Sequence, residues 1–372
     1  MLITFYLPQF HPIPENDAWW GKGFTDWTNV ARARPLFHGH HQPHIPADLG
    51  FYDLRLAEVR LAQARYAKQA GIGAFCYYHY WFNGRLVLDR PLNDVLASGE
   101  PDFPFCICWA NENWTRRWDG NDEEVLLAQN YEKYDPAEHI AWLDRAFADR
   151  RYIRVDGRPL FLVYRADEIP NLASVIAMWR QRARNLGYSD LYVCSVKYYR
   201  NTLSDADMRA AGFDAAVDFQ PNPIDYPPPL SWTLPTMSAG RILNRLGRAA
   251  GVRSTSRWPV ANVYKYREVM NRVMAKSCSD LTTFPCVFPS WDNTPRRRVG
   301  ATVIQNDDPD LYRTWLCHAI QRVVAYRPSE QIVFINAWNE WAEGCHLEPD
   351  QRFGTAFLDA TRLALNDTIT PS

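Results

Sequence analysis

Residues 331–341 read QIVFINAWNEW, an apolar run that changes abruptly into a polar and aromatic segment. Such a run predicts a strand that is buried on both faces of a sheet. Seven further runs have the same character, and stretches with apolar residues at helical spacing separate them; the runs are residues 2–6, 73–81, 103–111, 159–165, 190–196, 213–219 and 283–291. Eight strands that alternate with helices predict an α/β fold, a (β/α)8 barrel of the TIM type with long βα loops. The alternative, an open doubly wound sheet, is disfavoured because neither a GxGxxG segment nor a phosphate loop follows any run.

A single catalytic domain is expected to span residues 1–372, because barrels of this kind often exceed 250 residues as one unit. Two connections are unusually long. Residues 7–52 are rich in Pro, His and Trp and are predicted to form a functional loop. Residues 220–260 are interpreted as an inserted excursion with one weak helix at 240–250, and a helix is predicted at 262–276.

The composition excludes several classes of protein. The 41 Lys and Arg residues nearly balance the 42 Asp and Glu residues, so the basic excess of a nucleic-acid-binding protein is missing and nucleic acid is not expected as a partner. We see no signal peptide and no run of the ~18 apolar residues that a membrane helix needs, and a cytoplasmic protein without an integral membrane segment is expected. The eight cysteines form no CxxC pair and lie mostly in apolar runs, as is typical of buried, reduced thiols.

Polar and aromatic residues recur where nearly every predicted strand ends. In (β/α)8 barrels these carboxyl ends carry the catalytic groups, and aromatic faces match the apolar faces of sugar rings. The chain has 15 Trp, 19 Tyr and 18 Phe residues, many of them in polar company. We therefore expect an oligosaccharide or polysaccharide substrate, and the residues predicted to bind it are Tyr6, His11, Tyr78, His79, Trp109, Asn111, Glu112, Trp291, Asp292, Asn339 and Trp341.

Glu340 and Glu343 are the candidate catalytic residues. Glycosyl transfer needs two carboxyl groups, one to donate a proton to the leaving oxygen and one to act on the ring side. Two glutamates three residues apart, in a tight turn that leaves a barrel strand, can face one cavity, and their mutual repulsion would raise the pKa of one of them. A solvated loop with two carboxylates is the alternative interpretation.

Histidines crowd the first loop and raise the possibility of a metal site. His11, His38, His40, His41 and His44 lie in this loop, and imidazoles are ordinary metal ligands. Their spacing matches no firm metal motif, so sugar binding or loop packing is favoured. Neither a metal ion nor another cofactor is predicted.

Six segments together resemble the WbsX-like proteins of bacterial O-antigen and capsule gene clusters. They are FYLPQFHPIPEND (5–17), WWGKGFTDWTNV (19–30), FCYYHYWFNG (75–84), CWANENWTRRWDG (108–120), PSWDNTPRR (289–297) and WNEWAEGCHLEPD (338–350). The resemblance spans essentially the whole chain. WbsX-like proteins are often labelled glycosyltransferases and are related to glycoside hydrolase family 99, the endo-α-mannosidases.

This resemblance implies a barrel that acts on glycosidic bonds without a metal. The family 99 segment Asn-Glu-Trp-x-Glu-Gly matches residues 339–344. By that match, Glu340 resembles the base that takes the proton from the sugar 2-hydroxyl, whose oxygen attacks C1 to form a 1,2-anhydro sugar. Glu343 resembles the general acid that protonates the leaving oxygen. The implied activity is a retaining glycoside hydrolase acting on a bacterial surface polysaccharide or its precursor, at a mannose- or rhamnose-type unit.

Departures from the family 99 pattern put the substrate in question more than the chemistry. The first strand ends in Leu7-Pro8-Gln9-Phe10-His11, and Ala342 stands where the mannosidases usually have His. A glycosyltransferase or transglycosylase of O-antigen or capsule biosynthesis and a non-catalytic carbohydrate-binding barrel remain the alternatives. The presence of both glutamates argues against the latter, because binding alone does not need two adjacent acids.

Overall fold

Eight parallel strands close into a barrel. The computed structural model of the chain describes residues 1–116, 121–230, 260–277, 279–297 and 299–369. Each strand pairs with its neighbours in the sequence, and the first strand pairs with both the second and the last, as Ile3 faces Ala74 on one side and Phe334 on the other. The strands are β1 (Leu2–Tyr6), β2 (Ala74–Phe82), β3 (Phe105–Trp109), β4 (Arg158–Val163), β5 (Tyr192–Val196), β6 (Ala215–Asp218), β7 (Thr283–Val287) and β8 (Val333–Ile335). The predicted (β/α)8 barrel is confirmed.

Helices follow every strand. They are α1 (Pro14–Trp20), α2 (Trp27–Arg32), α3 (Ala57–Gln69), α4 (Arg90–Ser98), α5 (Pro136–Phe147), α6 (Leu172–Asn185), α7 (Asp205–Ala211), α8 (Tyr266–Met274), α9 (Pro309–Val323) and α10 (Ala356–Ile369). The start of α9 illustrates how the sequence sets these bounds. The Asp308 carboxylate accepts hydrogen bonds from the backbone N–H groups of Asp310 and Leu311 at 2.8 and 3.1 Å, and Pro309 occupies the first helical position, where no N–H is needed.

The barrel interior is apolar, as the sequence of the strands predicts. Strand residues such as Phe5, Ile107 and Leu162 are buried, and the thiols of Cys76 and Cys194 are buried and free. No helix among the described residues is long and apolar enough to cross a bilayer.

A small sheet outside the barrel corrects one prediction. Residues 262–265, expected to begin a helix, belong to the strand Val260–Lys265, which pairs in parallel with Val299–Gln305, and α8 begins only at Tyr266. The residues alternate: Ala261 and Val263 are buried in a small apolar cluster, whereas Asn262 and Tyr264 line the cavity described below. The helical periodicity of α8 was extended too far toward the N-terminus, over a segment whose side chains have the period of two that defines a strand.

The structure describes the first of the two long connections fully and the second only in part. The loop 7–52 contains α1 and α2. The excursion at 220–260 is described only in part, by a 3₁₀ turn at Pro223–Asp225 and the strand from Val260, and the helix predicted at 240–250 lies outside the described residues.

Candidate active site

A cavity of roughly 500 Å³ opens where the barrel strands end. Residues that follow seven of the eight strands contribute to it, from Leu7 after β1 to Glu340 after β8, and β2 contributes Tyr78 and Tyr80 from within the strand. Its wall is rich in aromatic side chains, which are Trp19, Trp20, Tyr78, Tyr80, Trp114, Tyr164, Tyr198, Tyr199, Phe219, Tyr226, Tyr264 and Trp291. Carboxylate, amide and guanidinium groups interrupt this aromatic wall, and such a mixture is typical of a small-molecule site.

Both predicted catalytic glutamates lie in this wall. Asn339–Glu340 pairs in antiparallel fashion with Cys345–His346, and a single 3₁₀ turn, Trp341–Glu343, connects the two pairs of residues. Asn339 ties the turn to the first loop of the barrel, because its Oδ1 accepts the N–H of Leu7 at 2.8 Å and its Nδ2 donates to the carbonyl of Leu7 at 3.0 Å.

Gly344 closes the turn in a conformation that favours glycine. Its φ is +55°, and a Cβ at this position would lie 3.0 Å from the backbone nitrogen and the Cβ of Asp292. The turn that carries the glutamates is therefore pressed against the strand residues after β7. Asp292 in turn accepts hydrogen bonds from His40 and Gln42, both at 2.6 Å, so it fastens the first loop to the same place.

One arginine contacts both glutamates. Arg296 Nη2 lies 3.0 Å from Glu340 Oε2, and Nη1 lies 2.9 Å from Glu343 Oε1. Nη2 also lies 2.6 Å from Oδ2 of Asp26, whose side chain is completely buried. Because Nη1 and Nη2 belong to one planar group, the two glutamate carboxylates are at most roughly 8 Å apart. Both can therefore reach a single sugar ring.

Burial and neighbouring charges shift the pKa values of Glu340 and Arg296. Burial raises the pKa of Glu340 to about 8; the charges of Glu343 and Asp26 add to the rise, and Arg296 opposes it. Burial lowers the pKa of Arg296, but the charges of the three carboxylates outweigh this effect and raise its pKa well above the ordinary value. Near neutral pH the cluster thus contains a permanent cation beside a carboxyl group that titrates close to physiological pH.

A buried glutamate supports the turn from behind. Glu348 accepts hydrogen bonds from Nε1 of Trp341 at 2.6 Å, from the hydroxyl of Tyr52 at 2.8 Å and from Nε2 of Gln63 at 2.6 Å. Burial raises its pKa to about 7, and these hydrogen bonds oppose the rise. Trp341, the first residue of the turn 341–343, is completely buried against this network, so it anchors the turn and does not line the cavity.

The structure brings five of the predicted site residues together at the cavity: Glu340, Glu343, Tyr78, Glu112 and Trp291. The other eight, Tyr6, His11, His79, Trp109, Asn111, Asp292, Asn339 and Trp341, are buried and do not line it. Several of these residues have a clear packing or positioning role. The hydroxyl of Tyr6 donates to Gln63 at 2.7 Å, and Asn111 accepts the N–H of Arg165 at 2.7 Å.

Sequence reasoning missed the role of Arg296 and Asp26. Arg296 follows a strand end, within PSWDNTPRR, but nothing in its local sequence marks it as the partner of two glutamates 44 and 47 positions away. A signal was present nonetheless: two acids that face one cavity need a cation to offset their repulsion, and strand ends are where it should be sought.

One further group of residues has the character of a metal site. Among the described residues, His44, His346 and Asp350 place one potential ligand atom each within 4.8 Å of one another, and all three are buried. They lie behind the turn 341–343 and do not line the cavity.

The sequence also matches a known protein family. The family model described as "Glycosyltransferase WbsX" matches residues 2–361. The chain belongs to the WbsX glycosyltransferase family. Two curated relatives from Xanthomonas campestris pv. campestris, of strains B100 and ATCC 33913, both named "Uncharacterized protein WxcX", are 45% identical to it over 365 residues. The match covers 98% of this chain and 49% of each relative, so the chain spans about half the length of the curated relatives it matches.

Solved structures share the architecture of this WbsX family member. The GH99 endo-α-mannosidase from Bacteroides thetaiotaomicron superposes with a TM-score of 0.57 at 15% identity, over 99% of this chain and 97% of that one. A protein described as glycoside hydrolase-like superposes with the same TM-score at 14% identity, over 98% and 93% of the two chains. At these identities the likeness is one of fold. Together the two findings show a glycoside hydrolase-like barrel in a member of the WbsX glycosyltransferase family.

Proposed function

We propose that the chain is a retaining glycoside hydrolase that acts on a bacterial surface polysaccharide or its precursor, with Glu340 and Glu343 as the catalytic pair. The observation that carries the proposal is the contact of one guanidinium, that of Arg296, with both carboxylates at 2.9 and 3.0 Å in the wall of the cavity. Two acids that share a cation are held close enough to act on the two sides of one anomeric carbon.

Glu340 is the proposed base toward the sugar 2-hydroxyl. A carboxylate becomes a stronger base as its pKa rises, and a pKa of about 8 brings Glu340 nearer to the weak acidity of a hydroxyl group while leaving a useful fraction ionised at neutral pH. The oxygen that loses its proton attacks C1 and forms a 1,2-anhydro sugar. This requires the 2-hydroxyl to lie opposite the leaving group, as in α-mannosides and α-rhamnosides.

Glu343 is the proposed general acid. Its side chain is 25% exposed, compared with 9% for Glu340, so it lies closer to the opening through which the leaving sugar and water must pass. It protonates the glycosidic oxygen in the first step. In the second step it removes a proton from the attacking water while Glu340 returns its proton to the 2-oxygen as the anhydro ring opens, so that two inversions give net retention.

Arg296 is the proposed positioning residue of the pair. Asp26 holds it independently of Glu343, through Nη2 at 2.6 Å and Nε at 3.4 Å, so it stays in place when a substrate hydroxyl displaces one of its glutamate contacts. The surrounding aromatic residues, such as Trp19, Trp114 and Trp291, provide stacking faces for sugar units on either side of the reacting bond.

Glycosyl transfer is the second candidate function, and the family description favours it. The same catalytic pair would serve a transglycosylase, in which an acceptor hydroxyl replaces water in the second step. The two functions differ in their products: hydrolysis gives a free reducing end even in the absence of an acceptor, whereas transfer requires one.

A screen against defined mannose- and rhamnose-containing oligosaccharides tests the proposal, with NMR to read the anomeric configuration of the first product. We expect retention, and we expect Glu340→Gln and Glu343→Gln each to lower kcat/KM by at least about 100-fold while the fold is preserved. Glu58→Gln, which alters an exposed carboxylate on α3, is the matched control and should retain full activity. Near-wild-type turnover by both active-site variants, or an inverted product, would overturn the assignment.

A further inference from the structure

We propose that His44, His346 and Asp350 bind a divalent cation of the zinc class, which fastens the first loop of the barrel to the catalytic turn. The three residues come from two segments far apart in the sequence. Nδ1 of His44 lies 3.0 Å from Nε2 of His346, and the same Nε2 lies 3.8 Å from Oδ2 of Asp350. Two imidazoles and a carboxylate are a ligand set that Zn²⁺ takes in proteins.

The spacing of the three atoms fits an ion at their centre. A tetrahedral ion with bonds of ~2.1 Å separates its ligand atoms by about 3.4 Å. The two observed separations, 3.0 and 3.8 Å, fall on either side of that value, and all ligand atoms lie within 4.8 Å of one another. Two of the three separations thus lie within about 0.4 Å of the tetrahedral value.

His346 is oriented as a metal ligand. Its Nδ1 lies 3.0 Å from the backbone carbonyl of Glu348, which can only accept, so Nδ1 carries the proton and Nε2 presents its lone pair to the other two residues. Metal-bound histidines usually donate their second N–H to a carbonyl or carboxylate in this way. Burial lowers the pKa of both imidazoles, to about 3 for His44 and about 4 for His346, so both are neutral near pH 7, as ligands must be.

The carboxylate of Asp350 is also held in place. Its Oδ1 accepts the backbone N–H groups of Arg352 and Phe353 at 2.9 and 2.6 Å, which leaves Oδ2 on the side of His346. At 3.8 Å, Oδ2 of Asp350 and Nε2 of His346 are too far apart for a hydrogen bond. A cation at the centre of the group would contact both atoms.

The metal-free alternative is a hydrogen bond in which His44 Nδ1–H donates to His346. Ion binding requires His44 to carry its proton on Nε2 instead, so that Nδ1 offers a lone pair. This is a change of tautomer of His44, and it needs no proton to leave the imidazole.

The location of the group gives the ion a structural role. None of its three members lines the cavity. The backbone of the loop is already joined to the same segment, as Ala47 N–H donates to the carbonyl of Pro349 and Gln351 N–H to that of Ile45, both at 2.9 Å. The ring of His346 stacks on Trp341 at 3.7 Å between centroids. The ion would thus restrain the stacked rings of His346 and Trp341, and with them the turn between Glu340 and Glu343, without touching substrate.

Metal content and thermal stability of the full chain test the proposal. The protein is purified through a tag without histidines, its metals are counted by mass spectrometry, and it is stripped with a chelator before Zn²⁺ is added back. We expect close to one Zn²⁺ per chain, and an increase in Tm of about 3–5 °C at 100 to 1,000 times the dissociation constant. A wild-type protein that holds no stoichiometric metal, and whose Tm does not change when Zn²⁺ is added, would overturn the proposal in favour of the hydrogen-bonded pair.

Variants locate the ion. Asp350→Asn keeps the Oδ1 acceptor but removes the charge, and His44→Gln keeps a polar group of similar reach; each should lower Zn²⁺ affinity by at least about 10-fold. His38→Ala is the matched control, because His38 is an exposed imidazole of the same loop and should leave the binding unchanged. If both ligand variants bound Zn²⁺ as tightly as wild type, the metal would lie elsewhere and the assignment would be wrong. Because the readouts are metal content and Tm, the result is independent of whether the proposed glycosidase activity is found.

Discussion

Replacement of Arg296 by Met tests the charge cluster that organises the site. The substitution keeps a long side chain but leaves the Asp26 carboxylate, whose side chain is 0% exposed, without its cation. It also removes the contact shared by Glu340 and Glu343. Removing one partner of a buried ion pair typically costs about 3–5 kcal/mol. At about 2.1 cal/mol/K of unfolding entropy per residue, the 372 residues of this chain convert that loss into a decrease in Tm of about 4–6 °C.

Scanning calorimetry at pH 7 measures this loss, and a double-mutant cycle assigns it. Asp26→Asn removes the buried charge that Arg296→Met leaves unpaired, so the double variant should be more stable than the two single losses predict, by about 1–3 kcal/mol. Strictly additive losses, or an Arg296→Met protein within about 1 kcal/mol of wild type, would refute the argument that this guanidinium holds the carboxylates together.

Three further predictions concern Glu340 and the turn that carries it. If Glu340 is the base, kcat/KM should rise with pH through about 8 as its carboxyl group ionises, and a decrease through the same pH would instead assign it the role of acid. The folded-state pKa of Glu340 lies above the value of 4.5 expected in the unfolded chain, so the stability of the wild type falls as the pH rises between these two values. Gln at this position does not ionise, and Glu340→Gln should therefore raise Tm relative to wild type more at pH 8 than at pH 5. A gain independent of pH would contradict this. Gly344→Ala should cost about 1–3 kcal/mol in urea unfolding, because the new Cβ would lie 3.0 Å from the backbone of Asp292. Gly354→Ala is its control, with a φ of +56° but open space around the Cβ, and equal losses at the two positions would show that the contact with Asp292 does not matter.

The barrel was predictable because its signal is local and repeated. Each strand, such as β3 with FCICW, is an apolar run that needs no knowledge of its partners, and eight such runs alternating with helices admit few folds. The error at 262–265 arose where the signal was weakest. In that strand two small apolar residues, Ala261 and Val263, alternate with Asn262 and Tyr264, and a helix follows without a break.

The site was predictable in its centre and less so in its surroundings. Glu340 and Glu343 line the cavity because the end of the last barrel strand places them there, which the order of the elements already implies. His79 follows the same rule of position, yet its ring is stacked between His139 and Trp142 and faces away from the cavity. Alternation along a strand decides which face a side chain takes, and in a barrel one of the two faces is packed against helices.

Contacts between distant segments were outside the reach of the sequence. Arg296 meets Asp26 across 270 positions, and His44 meets His346 across 302. Only the closed barrel brings the first loop and the turn after the last strand together, since β1 and β8 are neighbours. The same closure explains why the first loop supplies so many groups behind the turn 341–343.

The most direct test of the central claim is a crystal structure of the Glu343→Gln variant with an intact oligosaccharide substrate in the cavity. The account predicts that a Glu340 oxygen lies within about 3 Å of the 2-hydroxyl of the sugar whose bond is cleaved, and that the side chain at position 343 lies within about 3 Å of the oxygen of that same bond. A complex in which the two side chains contact different sugar units, or in which the scissile bond lies out of reach of either, would contradict it.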